Sequence, residues 1–474
     1  MFKERLKTFL LLSLVCISIF LTKKLWLEIP YDVLSFFHRQ EAMPPSYLFE
    51  DMIKPHKYLL NFDKKNHTIF YSDDGNGLWS NMRSNLIEVL SSNNIEYDIL
   101  PHEDFLTYNG KKSIIFYFPE KFNTYIIARS LGVNKPNNIT ETMPKMDSIY
   151  FHLSNEEPFF VFSEGDTHLK VYDENVDAKI IREWIKDIEN RKEYTYYYSM
   201  KDTLEIDNDI FIPYEMSRDL PLIHVVNELD AYNLESMRDL AEKFYGRDID
   251  YIREIIEDDG SIIYVYNQRV LKINQNGILE YFNPLEEPVK ERNLYMSLNT
   301  TAEFLSRHLQ TPNDMYLAKI EDIEVEDNLG YRLTFRYRIG GIPVVIGSDA
   351  IKDFIQVDVF NKYIRNYKRF IRKDIDVIYT NTNNTKALSA FDIINMNYKL
   401  LEKEYIKDKD LSIEDKDREI VKERVLSSIQ NIYIAYLDSC SKEREELIGA
   451  WVLQMENGIY AFDIYSGNMI MNKE

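Results

Sequence analysis

Cysteine is almost missing from this chain: Cys16 and Cys440 are the two among 474 residues. One lies in an apolar run and the other near the far end, which excludes a disulfide scaffold and leaves ordinary packing to hold the fold. Histidine is scarce too, eight residues scattered from His38 to His308. Positive charge falls short, with 57 Lys and Arg against 78 Asp and Glu and a formal charge of −21. That balance excludes the basic footprint nucleic acid demands, so no nucleic-acid partner is expected. Anionic wall polymers and lipid headgroups are repelled for the same reason. Gly-x-x-x-x-Gly-Lys-Ser/Thr, Gly-x-Gly-x-x-Gly, His-Glu-x-x-His, Gly-x-Ser-x-Gly and Cys-x-x-Cys are all absent. The expectation is a chain with no catalytic residue, no cofactor and no metal.

One long apolar run is present, at the start. Phe9–Leu21 contains nothing more polar than two serines and Cys16, and is preceded by Lys3, Arg5 and Lys7. A secretory signal has that basic lead and apolar core but ends in a small-x-small cleavage site. Here Thr22, Lys23, Lys24, Leu25, Trp26 and Leu27 follow instead. Counted to Leu27 the run approaches the ~20 residues needed to span a bilayer, provided the two lysines snorkel to the headgroups. Trp26 then lies at interfacial depth. The pattern favours an uncut anchor over a cleaved signal. The assignment is a cytoplasmic lead at 1–8, a transmembrane helix at 9–27, and the bulk of the chain outside. Ser18 and Thr22 form a small-xxx-small pair that lets another helix approach. Ser18, Thr22 and Trp26 are therefore the candidates for contact within the membrane. Small residues also occur by chance in any apolar run.

Beyond the anchor the length accommodates two to four domains. Residues 28–57, with Pro30, Pro44 and Pro45, read as a stalk or spacer. From 58 to 204 short β-like runs ("KYLLNF", "HTIFYS", "SIIFYF", "SIYFHL", "FFVFSE", "HLKVYD") alternate with helices near 78–91 and 176–190. From 205 to 290 a helix ending at Gly246 leads into a meander. Its turns are marked by Asp259-Gly260, Asn267-Gln268 and Asn276-Gly277, residues that supply the positive φ of two-residue hairpins. From 291 to 474 a helix followed by antiparallel strands is read twice, at about 291–380 and 381–474. The first of these helices is placed near 300–310 on a Thr300-x-x-Glu303 capping box. In "YRLTFRYRI" the apolar Tyr331, Leu333, Phe335, Tyr337 and Ile339 alternate with Arg332, Thr334, Arg336 and Arg338, as in a strand with one wet face. The fold class is α+β, with antiparallel sheets and packed helices. An α+β chain without a repeat remains the competing reading of the last part.

Two places tempt a chemical reading. His152 and His168 fall on what read as neighbouring strands, with Glu164 and Asp166 between them, but lone histidines on half-buried strands are usually structural. Cys440 in "LDSCSKERE" reads as a surface cysteine in a charged turn, although its basic neighbours suit a lowered thiol pKa.

The start "KERLKTFLLLSLVCISIFLTKKLW" resembles the amino-terminal anchor of the YycH family. "REIIEDDGSIIYVYNQRVLKINQNGILEYFNP" is similar to the same family's meander. The order of anchor, α+β region and YycI-like carboxy-terminal modules extends the resemblance over the whole chain. Lys23-Lys24 departs from it by shortening the apolar core. The resemblance implies a non-enzymatic regulator in the cytoplasmic membrane of a Gram-positive cell, with most of the chain outside. Its implied partners are a sensor histidine kinase of the WalK (YycG) type, a YycI-like membrane regulator, and lipid through the anchor. The output would be cell-wall homeostasis under the WalK/WalR two-component system. Competing readings are an anchored wall hydrolase and an extracytoplasmic binding or inhibitor module.

Overall fold

Period-two side chains build the first sheet. In β1 (Lys57–Asn61), Tyr58 and Leu60 enter one buried cluster and Leu59 another on the opposite face. The computed structural model describes residues 45–473, apart from 64, 72–76, 94, 155–156, 174, 193, 207, 215–219, 309, 313, 349–350, 379–385, 410–417 and 442. Residues 46–474 form one compact unit. The anchor expected at 9–27, with Ser18, Thr22 and Trp26, lies outside the described residues. Among those that are described, no helix is long and apolar enough to cross a membrane.

The first sheet continues with β2 (His67–Phe70), β3 (Tyr97–Leu100), β4 (Ser113–Asn123), β5 (Lys145–His152), β6 (Phe160–Glu164), β7 (Thr167–Val171), β8 (Tyr197–Ser199) and β9 (Phe211–Pro213). Their spatial order is β3-β7-β6-β5-β4-β1-β2-β8-β9. Helices Leu78–Ser91 and Lys179–Arg191 present Trp79, Met82 and Leu86, and Ile181, Ile185 and Ile188, to the same buried cluster as Phe116 and Phe151. Apolar residues three and four apart give each helix one buried stripe, and the sheet supplies the surface that covers it. Within the stretch read as spacer, Pro45–Met52 is helical, and Phe49, Met52 and Ile53 are buried in this core.

Next come β10 (Leu222–Asn227) and the meander β11 (Arg253–Ile256), β12 (Ile262–Tyr266), β13 (Arg269–Ile273) and β14 (Leu279–Phe282). They are followed by β15 (Tyr316–Val325), β16 (Asn328–Arg336), β17 (Arg338–Ile339), β18 (Ile342–Ile346), β19 (Ile355–Phe360), β20 (Tyr363–Arg369) and β21 (Arg372–Ile378). The meander does not close on itself. Leu279–Phe282 of β14 pairs with Asn366–Arg369 of β20, giving the continuous order β11-β12-β13-β14-β20-β19-β16-β15. Helices Leu234–Tyr245 and Leu294–His308 cover this sheet, with the Phe244 ring 5.0 Å from Tyr281 and the Phe304 ring 5.1 Å from Tyr367.

The last strands are β22 (Ile429–Asp438), β23 (Arg444–Glu446), β24 (Ile448–Met455), β25 (Gly458–Asp463) and β26 (Met469–Lys473). They follow helices Ala390–Lys409 and Arg418–Ser427. One sheet has the order β17-β18-β22-β24-β25-β26, and β10 is sandwiched between β21 and β23 in another. Among the described residues the strand pairs are antiparallel except β18 beside β22. The architecture is α+β, with antiparallel sheets and packed helices. In chain order, a helix followed by four meandering strands occurs at 234–282, and a helix followed by antiparallel strands recurs at 294–369 and 390–473.

Three local expectations are corrected. The helix placed near 300–310 begins at Leu294, capped by Asn293, whose side chain accepts from the Met296 amide at 2.9 Å. An asparagine cap nearer the chain start wins, and Thr300-x-x-Glu303 lies inside the helix. Two of the three meander turns are three-residue loops. Asn274 pairs with Ile278, and Glu257 with Ser261, while Gly277 and Gly260 take φ of 77° and 85°. Glycine there closes a type I turn in the left-handed region, one position later than in a two-residue hairpin. The "YRLTFRYRI" strand is interrupted at Tyr337, and Arg338 is buried rather than wet.

Gly277 is also held by a close approach, since a Cβ there would stand 2.7 Å from the Leu229 carbonyl oxygen. Gly277→Ala is expected to lose about 2 kcal/mol, combining left-handed strain with that clash. A fall in the urea midpoint at unchanged slope measures it. An unmoved midpoint would show that the turn relaxes freely.

Candidate functional site

A crossing between sheets creates a cavity with arginines in its wall. After Arg336 ends β16 in the eight-stranded sheet, the chain passes to β17 and reverses at Gly340-Gly341, with φ of 56° and 79°. Ile339 pairs with Ile342 across this two-residue turn. Positive φ at both central positions is the geometry glycine permits. The turn brings β18 back beside β22 and leaves Arg336 and Arg338 facing a space of about 250 Å³. Tyr316 of β15, Tyr433 of β22, Lys473 of β26 and the loop residues Lys352–Phe354 complete much of its wall.

Arg338 is the buried anchor of the wall, its side chain 1% exposed. Its Nη1 meets Asp314 Oδ1 at 3.0 Å, and its Nη2 donates to the His56 carbonyl oxygen at 2.9 Å. The guanidinium lies 4.1 Å from the centre of the Tyr316 ring. Lys54 shares Asp314 at 3.2 Å. Among the described residues, Arg338 Nε and Asp314 Oδ2 have no hydrogen-bond partner. Buried donors and acceptors are rarely left so.

His56 also lines the cavity. Its Nδ1 is 3.0 Å from the Tyr117 carbonyl oxygen and donates to it. Burial, then the Lys57 and Arg338 charges, push the imidazole down to about 3, so it is neutral at pH 7. Lys57, whose amine lies 4.4 Å from the Tyr117 ring centre, is pushed down to about 8 by burial. It lines a second cavity of about 350 Å³ with Asn208, Asp209 and Gln430, and Asn431 borders both spaces. Lys473 Nζ donates to the carbonyls of Ile346 and Ser348 at 2.8 and 2.9 Å. Arg336 and Lys352 are exposed.

The cavity is thus cationic in a strongly acidic chain. Arg336, Arg338, Lys352 and Lys473 face it, with Asp353 the one carboxylate among the described lining residues and Asp314 behind Arg338. Tyr433 is pushed up to about 12 by burial, so its phenol stays neutral. Cations, phenols and amides arranged in this way hold and orient an anion.

The places singled out from sequence lie elsewhere. His152 and His168 are not on neighbouring strands, because β6 runs between β5 and β7. The His152 ring packs 4.5 Å from Phe159, and His168 bonds Ser163 Oγ at 2.8 Å and His102 Nδ1 at 2.9 Å. Burial, then His102, lowers the His168 pKa. Both are accounted for by packing and hydrogen bonds. Cys440 is half-buried at φ 54°, its amide donating to Asp438 Oδ1 at 2.9 Å. Burial, then Asp438, pushes its thiol up, the opposite of an activated cysteine. Arg338 was missed because alternation assigned it to a solvated face, and Arg336, exposed as alternation has it, carries no local sign that it borders a cavity. The legible signal was Gly340-Gly341, which marks a hairpin immediately after Arg338.

No family model matches the chain, and no curated protein matches it. Among solved structures, the Bacillus megaterium YpeB C-terminal domain matches 51% of this chain and 97% of its own, at 10% identity and a TM-score of 0.24. A likeness of that size carries no argument about fold or function.

Proposed function

We propose that this chain is a non-enzymatic, membrane-anchored regulator that adjusts a sensor histidine kinase of the WalK (YycG) type. It acts with a YycI-like partner through contacts between membrane helices, and the output is cell-wall homeostasis. The bulk of the chain lies outside the cytoplasmic membrane, and residues 291–474 comprise two similar helix-plus-sheet modules of YycI type. The observation that carries this reading is the stretch 1–27, a basic lead and apolar run without a cleavage site. The kinase and the YycI-like partner rest on the resemblance of that stretch and of the meander to the YycH family. The recurrence of a helix followed by antiparallel strands at 294–369 and 390–473 supports the two modules.

Tagged full-length protein extracted from membranes in mild detergent is expected to bring a sensor histidine kinase with it. Residues beyond about 28 are expected to be open to protease added to cells stripped of wall. A processed chain starting near residue 25 in the medium, with no kinase on the membrane-derived sample, contradicts the proposal.

A further inference from the structure

We propose that the cavity between β15, β17, β18, β22 and β26 is a binding site for a small organic anion, a carboxylate or phosphate monoester on an aromatic or branched aliphatic body. The site lies wholly within residues 46–474 and is independent of which membrane partner the chain serves.

Charge argues for the anion. Arg336, Lys352 and Lys473 face the space against the single lining carboxylate of Asp353, with Arg338 balanced by Asp314, while the chain as a whole carries −21. Like charges gathered beside a low-dielectric wall repel one another, and a bound anion converts that repulsion to attraction. Arg338, buried and held by Asp314 and the His56 carbonyl, fixes the wall from which the exposed cations project. Arg336 and Lys352, exposed and without a described ion pair, stand where an incoming anion is steered.

Size and walls argue for the body. About 250 Å³ lies just below the roughly 300–1,000 Å³ usual for small-molecule sites, so a compact molecule fits and a polymer does not. Tyr71 and Tyr433, with ring centres 5.9 Å apart, and Tyr316 and Phe354 offer aromatic faces. Val345, Ile459 and Met471 add aliphatic wall. The lining therefore combines cationic with aromatic and aliphatic side chains, which matches an anion with a hydrophobic body better than a bare ion.

Equilibrium dialysis of the full-length protein in detergent with labelled phenyl phosphate, and separately with phenylacetate, tests the site. One saturable site per chain is expected for at least one of the two. Inorganic phosphate or acetate should compete weakly and benzyl alcohol not at all. Whichever probe binds more tightly separates a phosphate from a carboxylate ligand. Joint replacement Arg336→Gln and Lys352→Gln is expected to weaken binding by about tenfold or more, and added salt to weaken it further. Both residues are exposed, so this variant folds even if Arg338→Gln does not. No saturable binding of either probe at millimolar concentration overturns the proposal. So does equal binding of benzyl alcohol, or binding that the double replacement leaves unchanged.

Discussion

Asp438→Ala is expected to cost about 3–5 kcal/mol of stability, because it leaves a buried guanidinium without its main counter-charge. Arg372 is 1% and Asp438 0% exposed, joined by two bonds of 2.9 and 3.1 Å. The same guanidinium donates to Asn227 Oδ1 and to the Glu443 carbonyl oxygen, and lies 3.4 Å from Glu445. One side chain on β21 therefore ties the end of β22, in one sheet, to the separate sheet β21-β10-β23. The Cys440 amide bonded to Asp438 adds the turn leading into β23. Urea unfolding should show the midpoint falling, and Asp438→Asn, which keeps an acceptor, should lose less. The pair Arg372→Met with Asp438→Leu should also lose less than Asp438→Ala alone, since it removes both charges together. A single replacement as mild as the double one would mean that the guanidinium finds water or Glu445 at little cost.

That hub shows where reading the sequence stops. Local patterns were readable: "KYLLN", "SIIFYF" and "NIYIAYLD" are strands, and the helix near 78–91 runs Leu78–Ser91. Each reports its own period through neighbours two, three or four residues away. Junctions leave no such trace. Arg372, Asp438 and Asn227 carry no periodic signal, and the cavity draws on residues from His56 to Lys473. Where alternation met a junction it misled, placing Arg338 in solvent when the chain had already left β16 for another sheet. The capping box failed for a related reason. Thr300-x-x-Glu303 is a sound local pattern, but the buried stripe Leu298, Ala302 and Leu305 extends the helix back to Asn293.

The second large effect concerns how an exterior reaches a kinase. A ligand or partner outside shifts the kinase only by binding its two signalling states unequally. Under the proposed topology the link through the membrane is the helix 9–27. Helices in lipid associate by close packing of small residues rather than by hydrophobic burial. Ser18→Leu, which fills the small-xxx-small face with a branched side chain, is expected to weaken the contact. A coupling of about 1–3 kcal/mol corresponds to a change of roughly 5- to 150-fold in the kinase equilibrium, so the loss should be large in a transcriptional readout.

The most direct test places residues 28–474 behind an unrelated single-span anchor and reads a kinase-dependent reporter in cells lacking the native chain. The account predicts that reporter control is lost in this chimera, as in a deletion, while the exterior remains folded and displayed at the surface. A chimera that regulates as well as the native protein would contradict it, reducing residues 9–27 to a tether and moving the kinase contact outside the membrane.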